Sequence, residues 1–166
     1  MGFSDLTGDE GGSNPNFHAF LWERPGPMQD LGTLSGDAIS EALGINAQKQ
    51  IVGVSYAAGF SNPRAFLYEN GHMIDLNSLA PNSPVYLQVG GDINDEGVIV
   101  GQGCLPADCA SGTSFVSYVA VPTGDGRYRV SATGAPAARN SYTAGSPMTP
   151  QQILPRLAFG KLATAR

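Results

Sequence analysis

The segment 91–97 places oxygen-bearing side chains at alternate positions. Counted from Asp92, the residues Asp92, Asn94 and Glu96 occupy positions one, three and five, and a glycine occupies position six. This spacing matches the first half of an EF-hand-like calcium loop, in which a tight turn directs alternate oxygen ligands at one hard cation. Position twelve is Gly103, so the carboxylate that completes such a loop is missing. The sequence therefore predicts either a calcium site or a bare turn in which Asn94 bonds to its own backbone.

Two histidines are the only imidazole groups available for acid–base chemistry. His72 lies three residues before Asp75, and His18 occupies a repeated motif beside the apolar residues Phe17 and Phe20. These two histidines and Asp75 are the candidate catalytic residues of a small calcium-dependent hydrolase acting on esters or lactones. The alternative for His18 is a structural, hydrogen-bonded histidine. The sequence contains no phosphate-binding glycine loop or dinucleotide fingerprint, so no nucleotide or organic cofactor is expected.

Aromatic side chains suggest a second kind of chemistry, the binding of a glycan or another small molecule. Trp22, Tyr68 and Tyr118 are assigned to corresponding ends of repeated strands. On one exposed face they would form a surface for stacking sugar rings, and otherwise they cover the core. Because the repeated positions look architectural, an extracellular binding or surface module is the first functional hypothesis. The calcium-dependent hydrolase is its alternative.

Cys104 and Cys109 enclose four residues that include a proline. A zinc site would need two further ligands of suitable type and spacing, and the sequence does not supply them. A local disulfide is therefore predicted. It favours an extracellular or periplasmic location, because disulfides persist in oxidising compartments. The chain begins without the basic and apolar regions of a signal peptide, so we expect either that the peptide has been removed or that the chain is part of a longer repeat protein.

An internal repeat must position these residues. The motif His-Ala-Phe-Leu-Trp-Glu at 18–23 returns as Arg-Ala-Phe-Leu-Tyr-Glu at 64–69, and two further blocks recur in the same order. Short stretches of β-branched and aromatic residues alternate with Gly, Pro, Asn and Asp, which predicts hairpins and four strands in each unit. The units span about 17–60 and 63–103, with a degenerate third unit at about 114–131, all in a single domain 1–166.

The predicted fold is therefore all-β and antiparallel, with two to three blade-like, four-stranded units and one sheet per unit. These units would form an open propeller fragment, a sandwich or an irregular barrel. Residues 33–43 are the main candidate for a helix inside a unit, with Asp37 as its cap. The remaining residues, 132–166, are expected to form a short C-terminal helix, which Thr149 and Pro150 would begin, or an unstructured tail.

The repeated blocks carry a resemblance to a known family. His18 to Trp22, the segment 28–34, Ile45-Asn46 and Val52-Gly53 resemble the HAF repeat of predicted exported bacterial proteins. The resemblance extends over roughly residues 17–103 and is closer in the first unit than in the second. It implies an extracellular, propeller-like β-repeat protein, and it implies no established chemistry for particular residues.

Charge and composition limit the partners. Residues 1–122 hold 13 acidic and three basic residues, whereas residues 123–166 hold one acidic and six basic residues. The basic tail is expected to lie against the acidic body, or to serve as an arm for an acidic partner. The net charge of -5 argues against nucleic acid, and no apolar run approaches the roughly 20 residues that a membrane-spanning helix needs. Incomplete units leave strand edges unpaired, which predicts self-association or an edge capped by the tail.

Overall fold

Strands form where β-branched and aromatic residues run between turn residues. The computed structural model describes residues 1–6, 16–111 and 115–133, and the other residues lie outside this description. The described strands belong to one compact unit, Met1–Ala135. The elements are β1 (Gly2–Asp5), β2 (Phe17–Trp22), β3 (Met28–Gly32), β4 (Ile39–Ile45), β5 (Ile51–Ala57), β6 (Ser61–Glu69), β7 (His72–Asp75), α1 (Leu76–Leu79), β8 (Tyr86–Ile93), β9 (Ile99–Cys104), β10 (Val116–Pro122) and β11 (Tyr128–Thr133).

The strands form three antiparallel sheets, and each sheet follows chain order. Sheet I contains β1 to β3, sheet II contains β4 to β7, and sheet III contains β8 to β11. The predicted all-β, antiparallel fold class is confirmed, as are the hairpins β2–β3 and β6–β7. The expectation of one sheet per repeat unit is wrong. Each of sheets II and III takes its first two strands from one sequence unit and its last two from the next, because β5 turns directly into β6 and β9 pairs with β10.

Sheet II is the middle layer of the three. Val52, Ala65 and Leu67 form one core with residues of sheet III, whereas Ile51 and Phe66 form another with residues of sheet I. Because both faces of sheet II are covered, four consecutive residues of β6 are buried, in place of the alternating pattern of a half-exposed strand.

A glycine faces an aromatic ring in each sheet. Gly53 pairs with Phe66 in sheet II, and Gly101 pairs with Tyr118 in sheet III. In sheet I, Gly2 pairs with Phe20, and the ring carbon Cε1 of Phe20 lies 3.1 Å from where a Cβ on Gly2 would stand. This correspondence makes β1 the counterpart of β5 and β9.

The same pairing corrects the predicted alignment of the third unit. Tyr118 corresponds to Phe20 and Phe66 and does not correspond to the strand-end residues Trp22 and Tyr68. The Tyr118 hydroxyl donates a hydrogen bond to the Val89 carbonyl at 3.0 Å, and burial raises its pKa above the ordinary value.

The candidate helix at 33–43 is absent from the structure. Residues 33–38 form a loop, in which the Thr33 hydroxyl bonds to the Asp37 carbonyl at 3.1 Å, and β4 begins at Ile39. Pairing with β5 and burial against two neighbouring sheets override the local helical pattern. The predicted helix beginning at Thr149 lies outside the described residues. In the described part of the chain, no helix is long and apolar enough to cross a membrane.

Candidate functional site

His18 has a carboxylate partner on the neighbouring strand. Its Nδ1 lies 3.0 Å from both oxygens of Asp30, which projects from β3. The equivalent strands of sheet II carry Arg64 and Asp75, whose Nη1 and Oδ2 atoms are 3.3 Å apart. A basic side chain paired with a carboxylate therefore occupies the same place in both sheets. An arginine does not act as a general base at neutral pH, so the repetition favours a structural role for His18.

Arg64 is the centre of a polar network that links three segments of the chain. Its guanidinium contacts Asp37 at 3.0 Å and the Ser35 carbonyl at 2.9 Å, in addition to Asp75. The Asp37 side chain is only 3% exposed. Burial opposes the charged form of Arg64, but the hydrogen bonds and charges of Asp37 and Asp75 outweigh it and raise the pKa of Arg64. Arg64 thus joins sheet II to the loop that connects it with sheet I.

The structure does not bring His72 and Asp75 together as a catalytic pair. Asp75 caps α1 by accepting the backbone N–H of Asn77 at 2.9 Å, and its other oxygen contacts Arg64. His72 is exposed, and its side chain forms no hydrogen bond or ion pair with any residue that the structure describes. His72 and Asp75 therefore do not form the acid–base pair that the hydrolase hypothesis would use.

Asn94 forms the turn that was the alternative to a calcium loop. Its side-chain oxygen accepts the backbone N–H of Val98 at 2.8 Å. Asn46 forms the equivalent turn between β4 and β5 and donates its amide to the Asn94 carbonyl at 3.0 Å. Asp95 accepts the backbone N–H of Ala47 at 2.8 Å, so the two turns are bonded to each other. These contacts explain why the asparagine recurs in both units.

Asp92 and Glu96 are the acidic side chains among the three candidate calcium ligands. Asp92 accepts the N–H of Ile93 at 2.9 Å, and Glu96 is exposed. Within residues 1–6, 16–111 and 115–133, no three His, Cys, Asp or Glu side chains are placed to hold one metal ion.

We expect calcium to leave thermal stability unchanged. Because only a ligand that binds the folded state raises the melting temperature, the shift between excess calcium and chelator should be below about 1 °C. Differential scanning calorimetry measures it. A rise of several degrees that disappears in Asp92→Ala would restore the calcium hypothesis.

The three sugar-stacking candidates do not share an exposed surface. Trp22 is 53% exposed, and its indole N–H donates to the Gly26 carbonyl at 3.0 Å. Tyr68 and Tyr118 are buried in the two cores at 7% and 1% exposure. The prediction of a stacking surface built from these residues is therefore wrong. Two of them cover the core, which was the alternative.

A different set of aromatic rings is in contact at one end of sheets I and II, where Phe17 is buried at 8% exposure between two exposed rings. We call Phe3, Phe17, Tyr56 and Phe60 the aromatic ridge. The centroid distances are 4.9 Å from Phe3 to Phe17, 5.7 Å from Phe17 to Phe60 and 5.6 Å from Phe60 to Tyr56. Phe3 and Phe60 are 53% and 47% exposed. Glu41 pairs with Val54, two residues before Tyr56 on β5, so this carboxylate lies near the ridge, where desolvation and the charge of Glu41 raise the pKa of Tyr56.

The backbone at Phe60 has an uncommon conformation. Its φ is 59°, in the left-handed region that few bulky residues adopt, and Gly59 before it has φ 72°. Such conformations persist only where surrounding contacts impose them, and they are frequent at ligand sites. The ridge is not apparent from the sequence, because its rings come from four separate segments. A Gly-Phe pair in a short interstrand turn was the one available signal.

Cys104 and Cys109 form the predicted disulfide, with their Cα atoms 5.1 Å apart. The bond closes a short loop after β9. It should therefore contribute no more than about 2 kcal/mol to the free energy of unfolding. We expect intact mass to show no alkylation without reductant and two alkylated thiols after reduction. Urea unfolding of the reduced chain measures the stability loss, and a much larger loss would contradict a local role.

Comparisons with family models, curated proteins and solved structures find no match for this chain. The structure itself defines the class. The chain is an all-β repeat protein in which three antiparallel sheets pack through two apolar cores, and each sheet contains one glycine–aromatic cross-strand pair.

Proposed function

We propose that this protein is an extracellular binding module for glycans and that the aromatic ridge is its ligand surface. The observation that carries the proposal is the exposure of Phe3 and Phe60 within a continuous series of ring contacts. Sugar rings carry apolar C–H faces that stack on aromatic side chains, and exposed apolar patches commonly mark ligand grooves. A nearby carboxylate, Glu41, supplies an acceptor for sugar hydroxyl groups.

Charge and location agree with this proposal. The net charge of -5 favours neutral or cationic glycans over anionic ones, because like charges repel. The Cys104–Cys109 disulfide supports an oxidising compartment. The chemistry of the repeat supports binding over catalysis, because the pair His18–Asp30 has a counterpart in which arginine replaces histidine.

Isothermal titration calorimetry with neutral hexasaccharides of glucose and of N-acetylglucosamine tests the proposal. We expect binding of at least one of them, and a loss of at least about tenfold in affinity in Phe60→Ala and Phe3→Ala, which corresponds to about 1.4 kcal/mol. Phe115→Ala is the matched control, because Phe115 is 71% exposed and lies outside the ridge. Equal loss in the control, or no heat with either sugar, would overturn the proposal.

The hydrolase alternative has its own measurement. Turnover of simple esters and lactones is expected to be absent with the wild-type chain, with or without calcium. Turnover that disappears in His18→Ala or His72→Ala would show that the protein is an enzyme.

A further inference from the structure

The two end layers each leave one apolar face uncovered within the described residues. In sheet I, Ala19 and Leu31 face sheet II, and strand alternation therefore turns Phe20, Trp22 and Met28 to the opposite side. We call this side the outer face of sheet I. Trp22 and Met28 are 53% and 54% exposed on it.

Sheet III has an outer face as well. Tyr118 and Ala120 face sheet II, so Val119 and its cross-strand partner Val100 turn away from it, followed by Val121. A shallow groove of about 510 Å³ runs over this side and includes Val89, Val100 and Val119. Val100 is 46% exposed.

Both outer faces have buried counterparts in sheet II. By strand register, Phe20 corresponds to Phe66, which belongs to the core shared with sheet I. Trp22 follows it at the position that Tyr68 occupies in sheet II. The repeat therefore places Phe20 and Trp22 on the face that, in sheet II, packs against a neighbouring sheet.

The outer face of sheet III corresponds to the other side of sheet II. Val100 and Val119 pair with each other as Val52 and Leu67 do, and the latter two are buried against sheet III. The outer faces of sheets I and III are therefore the two complementary halves of one interface that the chain already forms twice.

We infer that a second copy of this chain covers these faces, with the outer face of sheet III of one copy on the outer face of sheet I of the next. This contact would continue the stacking within one chain, in which sheet II packs on sheet I and sheet III packs on sheet II. Arg129 pairs across the strands with Val121 and so shares the outer face of sheet III, whereas the outer face of sheet I carries Asp30 paired with His18.

The contact joins two different faces, so the assembly is head-to-tail and not two-fold symmetric. This property gives a specific test. A copy blocked on sheet I still offers an intact sheet III, and a copy blocked on sheet III still offers an intact sheet I. The inference does not depend on glycan binding, because the aromatic ridge is a separate surface.

Sedimentation velocity over a wide concentration range tests the inference with the full chain. We expect the wild type to associate, and Met28→Arg and Val100→Arg each to sediment as monomers. An equimolar mixture of the two variants should form a one-to-one complex through the two intact faces. Gln48→Arg adds the same charge on an exposed turn and should associate like the wild type. Circular dichroism confirms that each variant is folded.

Two results would overturn the inference. One is a wild-type chain that remains monomeric at every concentration. The other is a mixture of Met28→Arg and Val100→Arg that remains monomeric while the wild type associates, because that result indicates a contact between identical faces or a different surface.

Discussion

Gly53→Ala is expected to lower the free energy of unfolding by about 3 kcal/mol, an effect at the upper end of those caused by overpacking. A Cβ at Gly53 would stand 2.8 Å from two ring carbons of Phe66 and would overlap the backbone carbonyl of Glu41. Phe66 is fully buried between sheets I and II and has no free space to move into. Without this overlap, alanine would stabilise a strand relative to glycine. A destabilising effect of Gly53→Ala would therefore show that the added methyl group meets these atoms.

Gly91→Ala is the matched control for this prediction. Gly91 also lies in a strand, but its nearest neighbour to an added Cβ is the Val100 carbonyl at 3.4 Å, an ordinary contact. Gly91→Ala should lower the free energy of unfolding by no more than about 0.5 kcal/mol. Urea unfolding with unchanged m-values measures both. Equal stability of the two variants would show that the space beside Gly53 tolerates a side chain and that the close approach of Phe66 does not require glycine.

The same pair shows which part of the fold was accessible from sequence. Strands and turns were predictable because the repeat places β-branched and aromatic residues between Gly and Asn at fixed offsets. Gly2-Phe3-Ser4 also matches Gly53-Val54-Ser55, and this short match predicts that β1 is the counterpart of β5. It lay outside the span in which the repeat was recognised. In the third repeat, the spacing of the aromatic residues predicts an alignment in which Tyr118 is two residues out of register.

The sheet boundaries were not predictable from the period of the repeat. A repeat fixes the order of strands, but any starting point describes it equally well. For the boundary of sheet II, connection length carries part of the missing information, although β9 and β10 share sheet III across a longer connection, residues 105–115. Only three residues, Ala58–Phe60, join β5 to β6 and make them a hairpin, whereas the loop 33–38 is long enough to cross from sheet I to sheet II.

The candidate site is less predictable from the sequence than the fold is. The asparagine turn and the disulfide depend on residues close in sequence, and both were anticipated. The aromatic ridge depends on residues from β1, β2, β5 and the turn after β5, so only the packing of two sheets brings its rings together. Exposure likewise depends on the neighbouring layer, which is why Trp22 and Tyr68 differ although their motifs match.

Arg64→Ala is the second substitution for which we expect a large effect, a loss of about 3 kcal/mol in the free energy of unfolding. It would leave the buried carboxylate of Asp37 without its cation, and the Ser35 carbonyl would lose its donor. Arg64→Lys should recover only part of this loss. A single ammonium group cannot reproduce the planar guanidinium that reaches Asp37, Asp75 and Ser35 together.

A matched control and a double substitution separate the charge effect from packing. Lys49→Ala breaks the exposed pair with Glu23 and should cost less than about 0.5 kcal/mol. Arg64→Leu combined with Asp37→Leu should cost less than Arg64→Leu alone, because the double variant leaves no buried carboxylate at position 37. Chemical unfolding measures all of these variants. If the double variant were the less stable one, the network would contribute through its geometry and not through the burial of an unpaired charge.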